Sequence, residues 1–162
     1  MNEIRILRKL DHPNIVKLHE VYEIDDEVCL VLEYIKGERL FDVILKQKGL
    51  TEAKTAIVMK QLLCTLSYLQ YQDILHRDIK PENIMLTRKQ GDEFQVTLID
   101  FGLATHHSKR DIIKKGGTAG YIAPEILKND LYDFKADLYS CGVVMFTWYE
   151  IWIGKFYVKY YH

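Results

Sequence analysis

The sequence predicts an α+β fold, in which β-hairpins are interspersed with helices. Two pairs of segments place β-branched and apolar residues on either side of a polar turn, a pattern typical of antiparallel hairpins. Between the two pairs lies a stretch with apolar residues at helical spacing. The chain has 162 residues, of which 48% are hydrophobic and 28% charged. These values predict a single globular domain with a hydrophobic core.

The first elements are a helix and a hairpin. Residues 2–10 carry apolar side chains at helical spacing, and the helix should stop at residues 11–14, which read DHPN. Residues 16–22 and 28–34 are rich in apolar and β-branched residues and flank the polar turn 25–27. We therefore predict a short helix followed by a β-hairpin.

Two further helices should follow. Leu40, Val43 and Ile44 predict a short helix that ends at Gly49. Thr51 is a suitable N-cap for a longer helix through Leu69. The predicted apolar face of that helix consists of Met59, Leu62, Leu63, Leu66 and Leu69.

The second half of the chain predicts a hairpin, a loop and two helices. Residues 83–87 and 94–99 form the expected hairpin around a polar turn. Residues 103–123 lack periodicity and should form a loop. Pro124 can open a short helix, and residues 135–150 are apolar enough to form a buried one.

Charge and cysteine content narrow the function classes. A net charge of −1 gives no electrostatic reason to expect nucleic acid or an anionic membrane as a partner. Cys29, Cys64 and Cys141 form no closely spaced pair, which predicts buried free thiols rather than disulfides or a zinc site. The charged first residues do not fit a secretory signal. We expect a cytoplasmic location, with the nucleus as the alternative.

Two motifs carry the chemistry: residues 76–83 read HRDIKPEN, and residues 98–102 read LIDFG. They place a candidate base, a phosphate-binding lysine and two metal ligands about a hairpin's length apart, the set that phosphoryl transfer to a hydroxyl requires. At these residues the chain resembles the protein kinases, specifically the serine/threonine branch. The resemblance extends from Glu3 to about Val144.

The resemblance implies a role for each polar residue of these motifs. Asp78 would orient the substrate hydroxyl and accept its proton, and Lys80 would neutralise the transferring γ-phosphate. Asn83 and Asp100 would supply oxygen ligands for Mg²⁺. The implied cofactors are therefore ATP and Mg²⁺, and the implied substrate is a protein with a serine or threonine acceptor.

Residues 117–125, which read GTAGYIAPE, resemble the segment that closes the activation loop in this family. Thr118 would hydrogen-bond toward Asp78 and Lys80, a contact that fits serine or threonine acceptors. Lys114 stands where many relatives carry an activating phosphate. We therefore do not expect switching by phosphorylation of this loop.

Further matches concern nucleotide binding. Glu3 corresponds to the helix-C glutamate that pairs the ATP-binding lysine in active kinases. Leu32 occupies the gatekeeper position, and residues 33–35 (Glu33, Tyr34 and Ile35) resemble the hinge whose backbone would bond adenine. The predicted apolar floor beneath the adenine ring consists of Leu40, Ile84, Met85 and Leu86.

A column of packed residues is also implied by the resemblance. Its members are Leu7, Leu18, His76 and Phe101, anchored by Asp137. His76 is therefore interpreted as a packing residue, because the nearby Asp78 already supplies the base.

By this resemblance the fold is protein-kinase-like, with domain bounds at 1–145. Residues 1–34 would form a partial small lobe, with helix C and part of its sheet, and residues 35–145 an incomplete, mainly helical large lobe. Residues 146–162 are interpreted as a divergent aromatic tail. The 162 residues contain neither G-x-G-x-x-G nor V-A-I-K. We therefore expect a domain truncated at both ends that binds ATP weakly and self-associates.

The subgroup rests on two shorter matches. Residues 11–18 (DHPNIVKL) and 40–42 (LFD) resemble the calcium/calmodulin-regulated and calcium-dependent kinases. This implies a link of the full-length relative to the calcium/calmodulin pathway. Arg39 replaces a glutamate common in that group and argues against a preference for basic substrates. Two alternatives stay open: an inactive remnant that acts as a binding or scaffold module, and, less favoured, a membrane-tethered decoy.

Overall fold

The computed structural model describes residues 2–25, 27–47, 50–89, 93–108, 116–128 and 131–160, with side chains up to residue 147. The elements in chain order are α1 (Asn2–Leu7), β1 (Leu18–Ile24), β2 (Glu27–Leu32), β3 (Glu38–Arg39), α2 (Leu40–Gln47), α3 (Glu52–Tyr71), β4 (Ile74–Leu75), β5 (Ile84–Arg88), β6 (Phe94–Leu98), β7 (Thr105–His106), α4 (Pro124–Leu127) and α5 (Lys135–Tyr160).

Strands β1 and β2 form the predicted hairpin. They pair antiparallel, with Val21 opposite Leu30 and Tyr22 opposite Cys29. Because directly opposed residues lie on the same face of a sheet, Val21 and Leu30 form one face and Tyr22 and Cys29 the other. Leu30 packs against the core. Residue 26, in the predicted turn, lies outside the described residues.

Helix α3 begins and ends close to the predicted bounds. Thr51 caps it, accepting a hydrogen bond from the Lys54 amide at 3.4 Å through its hydroxyl. The prediction for Leu63 was wrong, because its side chain is 43% exposed. Leu63 lies at the edge of the apolar stripe and on the side that faces solvent. The residues that helix α3 buries are Val58, Leu62, Thr65, Leu66 and Leu69. Gly49, the predicted end of α2, lies outside the described residues.

The second predicted hairpin forms two strands of a three-stranded sheet, in which β5 is the central strand. Strand β5 pairs antiparallel with β6 and also with β3, where Arg39 lies opposite Met85. Side chains alternate along β5, so Ile84 and Leu86 enter the core while Met85 lies half-buried on the opposite face. The residues predicted to form the apolar floor beneath adenine therefore lie on two opposite faces of this sheet. Residues 90–92 of the turn lie outside the described residues.

One strand pair was absent from the sequence prediction. Within the stretch 103–123, strand β7 pairs antiparallel with β4, with Leu75 opposite Thr105. Each strand has only two residues, which is too short for a periodic pattern. This pair brings the segment after residue 102 alongside the start of the HRDIKPEN motif.

Helix α5 starts where the sequence predicts but is less buried. Ala136, Asp137, Ser140, Cys141 and Val144 are buried. By contrast, side chains on the opposite side, among them Leu138 and Phe146, are about half exposed. The predicted buried helix is therefore buried on one side only over the residues whose side chains are described. Among the described residues, no helix combines the length and apolar character needed to cross a membrane.

The chain segment after α1 is held to α3 and β6 by polar contacts. Asn14 Nδ2 donates to Gln61 Oε1 at 2.9 Å and to the Val96 carbonyl at 2.6 Å. Gln61 Nε2 in turn donates to the Phe94 carbonyl at 2.7 Å, and its Oε1 accepts from the Val96 amide at 3.0 Å. These contacts fix the hairpin side of the molecule to the β5–β6 sheet.

The three cysteines are free thiols, as predicted, but their burial differs from the prediction. Only Cys141 is buried, whereas Cys29 and Cys64 are exposed. Burial raises the pKa of the Cys141 thiol to about 12, and the nearby charge of Asp137 adds to this shift. Cys29 is exposed because it lies on the outer face of the β1–β2 hairpin.

Candidate active site

The HRDIKPEN segment is anchored by a carboxylate of α5. Asp137 accepts hydrogen bonds from the backbone amides of His76 at 2.7 Å and Arg77 at 2.8 Å. Arg77 has a φ of 70°, a left-handed conformation that a non-glycine residue keeps only when its surroundings hold it. Burial raises the pKa of Asp137, while the charge of Arg77 and the two amide hydrogen bonds oppose this effect. The anchor determines the path of the backbone into Asp78.

His76 is a packing residue in this structure. Its side chain is fully buried and meets the Phe101 ring edge-on, with ring centroids 4.7 Å apart. Nδ1 accepts from the Asp78 amide at 3.3 Å, which leaves the proton on Nε2, 3.3 Å from the Ile99 carbonyl. Burial lowers the pKa of His76, so the ring is neutral.

Asp78 is the centre of the polar cluster. Its Oδ1 accepts from the Thr118 hydroxyl at 2.7 Å, and its Oδ2 accepts from Asn83 Nδ2 at 3.0 Å and from Lys80 Nζ at 2.8 Å. Lys80 also donates to Thr118 Oγ1 at 2.8 Å. Four predicted site residues are thus in direct contact, and one of them, Thr118, is about 40 residues distant from the others in the chain.

The protonation state of Asp78 follows from these contacts. Burial of the carboxyl raises its pKa, but the hydrogen bonds from Lys80 and Thr118, the charge of Lys80 and the bond from Asn83 outweigh burial. The net pKa of Asp78 lies below its usual value of 3.8. Asp78 is therefore an ionised acceptor at neutral pH, and it can orient a hydroxyl that approaches it.

Asn83 and Asp100 are suited to a divalent cation. The Ile99 amide donates to the Asn83 carbonyl at 2.9 Å, which brings Asp100 next to the turn that carries Asn83. The Asn83 side-chain amide uses its nitrogen on Asp78, so its oxygen is available. Asp100 has a φ of 61°, and its Oδ1 accepts from the Gly102 amide at 3.1 Å, which leaves Oδ2.

This donor set fits Mg²⁺ rather than a metal held by protein ligands alone. Among the described residues, no cluster of three or more histidine, cysteine or acidic side chains could hold a metal. Mg²⁺ typically takes one or two protein oxygens and completes its shell with phosphate and water. Asn83 and Asp100 are sufficient for that mode.

Glu3 extends toward the same region from helix α1. Its Oε2 lies 3.9 Å from the point that a Cβ on Gly102 would occupy. The Asn2 side chain donates to the Ala104 carbonyl at 2.7 Å and holds α1 against this segment. Within the described residues, Glu3 is in no ion pair, and the structure does not bring it into contact with Lys80.

The predicted adenine-binding residues lie at the end of strand β2, in the segment that follows it and on strand β5. Leu32 is 38% exposed, and the Glu33 amide donates to the Lys17 carbonyl at 2.8 Å. Ile35 packs against the core, and its carbonyl accepts from the Gly37 amide at 2.9 Å. Met85 is half-buried on β5. A Cβ on Gly37 would stand 2.4 Å from the Leu86 carbonyl oxygen, so close packing here requires glycine.

Two residues of the site were not selected from the sequence. Glu82 has a buried carboxylate oxygen, Oε2, without a hydrogen-bond partner among the described residues. Ser140 on α5 donates to the Tyr121 carbonyl at 2.7 Å and fixes the segment that carries Thr118. Ser140 could have been selected from the sequence, because it is a polar residue within an apolar helix. Glu82 could not, because its burial depends on the tertiary fold.

Comparison with known proteins agrees with this geometry. The protein kinase domain family matches residues 1–159. Human serine/threonine-protein kinase DCLK3 is 42% identical over 145 residues, which cover 90% of this chain and 22% of DCLK3. Calcium-dependent protein kinase 5 of Plasmodium berghei (strain Anka) is 43% identical over 148 residues, covering 89% of this chain and 25% of the relative. Calcium-dependent protein kinase 4 of Plasmodium falciparum (isolate 3D7) is 41% identical over 147 residues, covering 90% and 28%.

The chain belongs to the protein kinase family, and its curated relatives are serine/threonine kinases that include calcium-dependent ones. The chain spans about a quarter of the length of these relatives, between 22% and 28%. The mixed architecture of helices and small sheets confirms the predicted α+β, protein-kinase-like fold. The predicted division at residue 145 stays a prediction.

Proposed function

We propose that this protein transfers the γ-phosphoryl group of ATP to serine or threonine hydroxyls of proteins. The observation that carries the proposal is the contact between Asp78, Lys80 and Thr118, joined by hydrogen bonds of 2.7–2.8 Å. An ionised carboxylate beside a lysine and a hydroxyl is the arrangement that phosphoryl transfer to an alcohol needs. Membership of the kinase family supports this reaction class.

In the proposed reaction Asp78 orients the acceptor hydroxyl and takes its proton as the oxygen attacks. The new bond joins that oxygen to the γ-phosphorus, and the bond to the bridging oxygen breaks, so that ADP leaves. Lys80 lies beside Asp78 and would offset the charge of the phosphoryl oxygens. Thr118 holds Asp78 Oδ1 and so fixes the plane of the carboxylate.

Bound Mg²⁺ would neutralise phosphate charge, and Asn83 and Asp100 are the residues proposed to hold it. The residues proposed to contact the adenine are Leu32, Glu33, Ile35 and Met85. Glu3 is proposed to belong to the same nucleotide site, on the side of helix α1. Two broader points belong to the same proposal: a role in a calcium-dependent pathway, supported by the named relatives, and a cytoplasmic or nuclear location, supported by three free thiols.

The proposal is tested by phosphate transfer from labelled ATP to a serine/threonine peptide library. We expect the purified chain to transfer phosphate, and Asp78→Asn to reduce the rate by roughly 10²–10⁴-fold, because the proton acceptor is lost. Asp100→Asn should reduce it through lost Mg²⁺. Asp11→Asn, at an exposed carboxylate outside the site, is the matched control.

A rate that survives both site substitutions would refute the assignment of Asp78 and Asp100. Absence of transfer by the unsubstituted, folded chain would instead favour the competing hypothesis of a binding or scaffold module without turnover. Circular dichroism of each variant distinguishes lost chemistry from lost folding.

A further inference from the structure

The outer side of helix α1 carries cations that the proposed chemistry does not use. Arg8 and Lys9 lie three and four residues after Arg5, and all three side chains are exposed. The Arg8 amide bonds the Ile4 carbonyl at 3.0 Å, so the helical turn continues past Leu7 and the three side chains leave the same side.

These cations form one wall of a concave surface. Together with Asn2 and His106 they line a volume of about 580 Å³, which we call the α1–β7 basic surface. The two walls are fixed to each other, because the Asn2 side chain donates to the Ala104 carbonyl at 2.7 Å, just before β7. The surface is therefore a defined feature built from two elements.

The described residues around this surface do not balance its charge. None of the described residues that line it is acidic. Within the part of the chain that the structure describes, none of the ion pairs includes Arg5, Arg8 or Lys9. The helix dipole explains why cations are tolerated at this end of α1. It does not explain their clustering on a concave surface opposite His106, and like charges one turn apart repel each other.

We propose that the α1–β7 basic surface binds a phosphate monoester. Guanidinium groups present paired donors that match phosphate oxygens, and two arginines with a lysine offset the charge of a dianion. A phosphoserine or phosphothreonine in a protein and a small soluble phosphate ester share this chemistry. The volume exceeds what a lone phosphate fills, and it leaves room for the chain or group that carries it.

Binding is measured by fluorescence anisotropy on the full chain, with a short labelled peptide that contains one central phosphoserine among alanines and glycines. We expect the phosphorylated peptide to bind at least about tenfold more tightly than its unphosphorylated twin. Arg5→Gln combined with Arg8→Gln should remove most of that difference. Lys60→Gln with Lys128→Gln, two exposed lysines elsewhere, removes the same charge and should leave binding unchanged.

Competition identifies the source of the phosphate. If β-glycerophosphate displaces the labelled phosphopeptide at a concentration similar to that of the peptide, the site binds soluble phosphate esters. If about a hundredfold excess is required, the site binds a phosphoprotein. The proposal would be overturned if both peptides bound equally, or if the two double variants lost phosphopeptide affinity to the same extent. Preferential displacement of the peptide by single-stranded DNA would also overturn it. Asp100→Asn should bind the peptide normally, so this test is independent of phosphoryl transfer.

Discussion

At the residue scale, the HRDIKPEN segment depends on buried polar contacts, and two of its partners, Asp137 and Thr118, come from distant parts of the chain. Asp137 holds two backbone amides, and Asp78 holds Thr118, Lys80 and Asn83. Leaving one buried donor without its acceptor costs about 1–3 kcal/mol. Such losses are large beside a total stability of about 5–15 kcal/mol. The geometry of the site is therefore inseparable from the stability of the fold.

His76 makes this stability dependent on pH. Its folded-state pKa is lowered by burial from the usual 6.5. As the pH falls below about 6.5, His76 in the unfolded chain takes up a proton, whereas buried His76 in the folded chain stays neutral. The free energy of unfolding therefore decreases as the pH falls from about 6.5 toward the folded-state pKa of His76. We expect the melting temperature to fall between about pH 7 and pH 5, and His76→Gln to flatten the profile.

The measurement is a series of thermal melts across this pH range. His19→Gln, at an exposed histidine, is the control and should retain the wild-type slope. His12 also has a pKa lowered by burial, so part of the slope should persist in His76→Gln. An identical slope in wild type and His76→Gln would show that His76 does not titrate with folding.

At the scale of elements, the link between α3 and β6 depends on one amide side chain. Gln61 uses both ends of its amide, donating to the Phe94 carbonyl and accepting from Asn14 and the Val96 amide. Only glutamine offers a donor and an acceptor at this length. The contact keeps the segment after α1 in register with the β5–β6 sheet.

Gln61→Glu should therefore destabilise the protein although the side chain keeps its shape. It replaces the donor toward the Phe94 carbonyl with a carboxylate oxygen, and we expect a loss of about 1–3 kcal/mol in the free energy of unfolding. Urea denaturation measures the change. Gln70→Glu, at an exposed position of the same helix, should change stability by less than about 0.5 kcal/mol. Equal effects of the two substitutions would contradict this role.

At the scale of the whole molecule, the outer face of the β1–β2 hairpin exposes several large apolar side chains beside Glu20 and Glu27. Tyr22, Ile24 and Val31 are 49%, 58% and 41% exposed. By the hairpin register these residues share one face, and among the described strands β1 and β2 pair only with each other. Exposed apolar patches of more than a few hundred Å² favour association, and unpaired strand edges add to this tendency.

We therefore expect the isolated chain to self-associate as its concentration rises. Ile24→Thr combined with Val31→Thr should reduce association, because threonine keeps the β-propensity of the strand while removing apolar surface. Size-exclusion chromatography with light scattering provides the mass. Leu131→Thr, at a residue that is 85% exposed elsewhere, should have little effect. A concentration-independent monomer of the wild-type chain would show that this face does not drive association.

The sequence by itself determined the elements whose signal is local. Hairpin patterns predicted β1–β2 and β5–β6, and Thr51 predicted the start of α3. The HRDIKPEN and LIDFG motifs predicted the family, because their residues are close together in the chain and their spacing is specific. The contact of Thr118 with Asp78 and Lys80 also followed, but through family resemblance rather than from spacing.

The tertiary structure decided which surfaces are covered and which distant groups meet. Leu63 and Cys29 have core-like side chains, yet both are exposed, because burial depends on the neighbouring elements and not on residue type alone. The pairing of β4 with β7 rests on two residues in each strand, too few for a periodic signal. The α1–β7 basic surface likewise requires α1 and His106, about a hundred residues apart in sequence, to be brought together by folding.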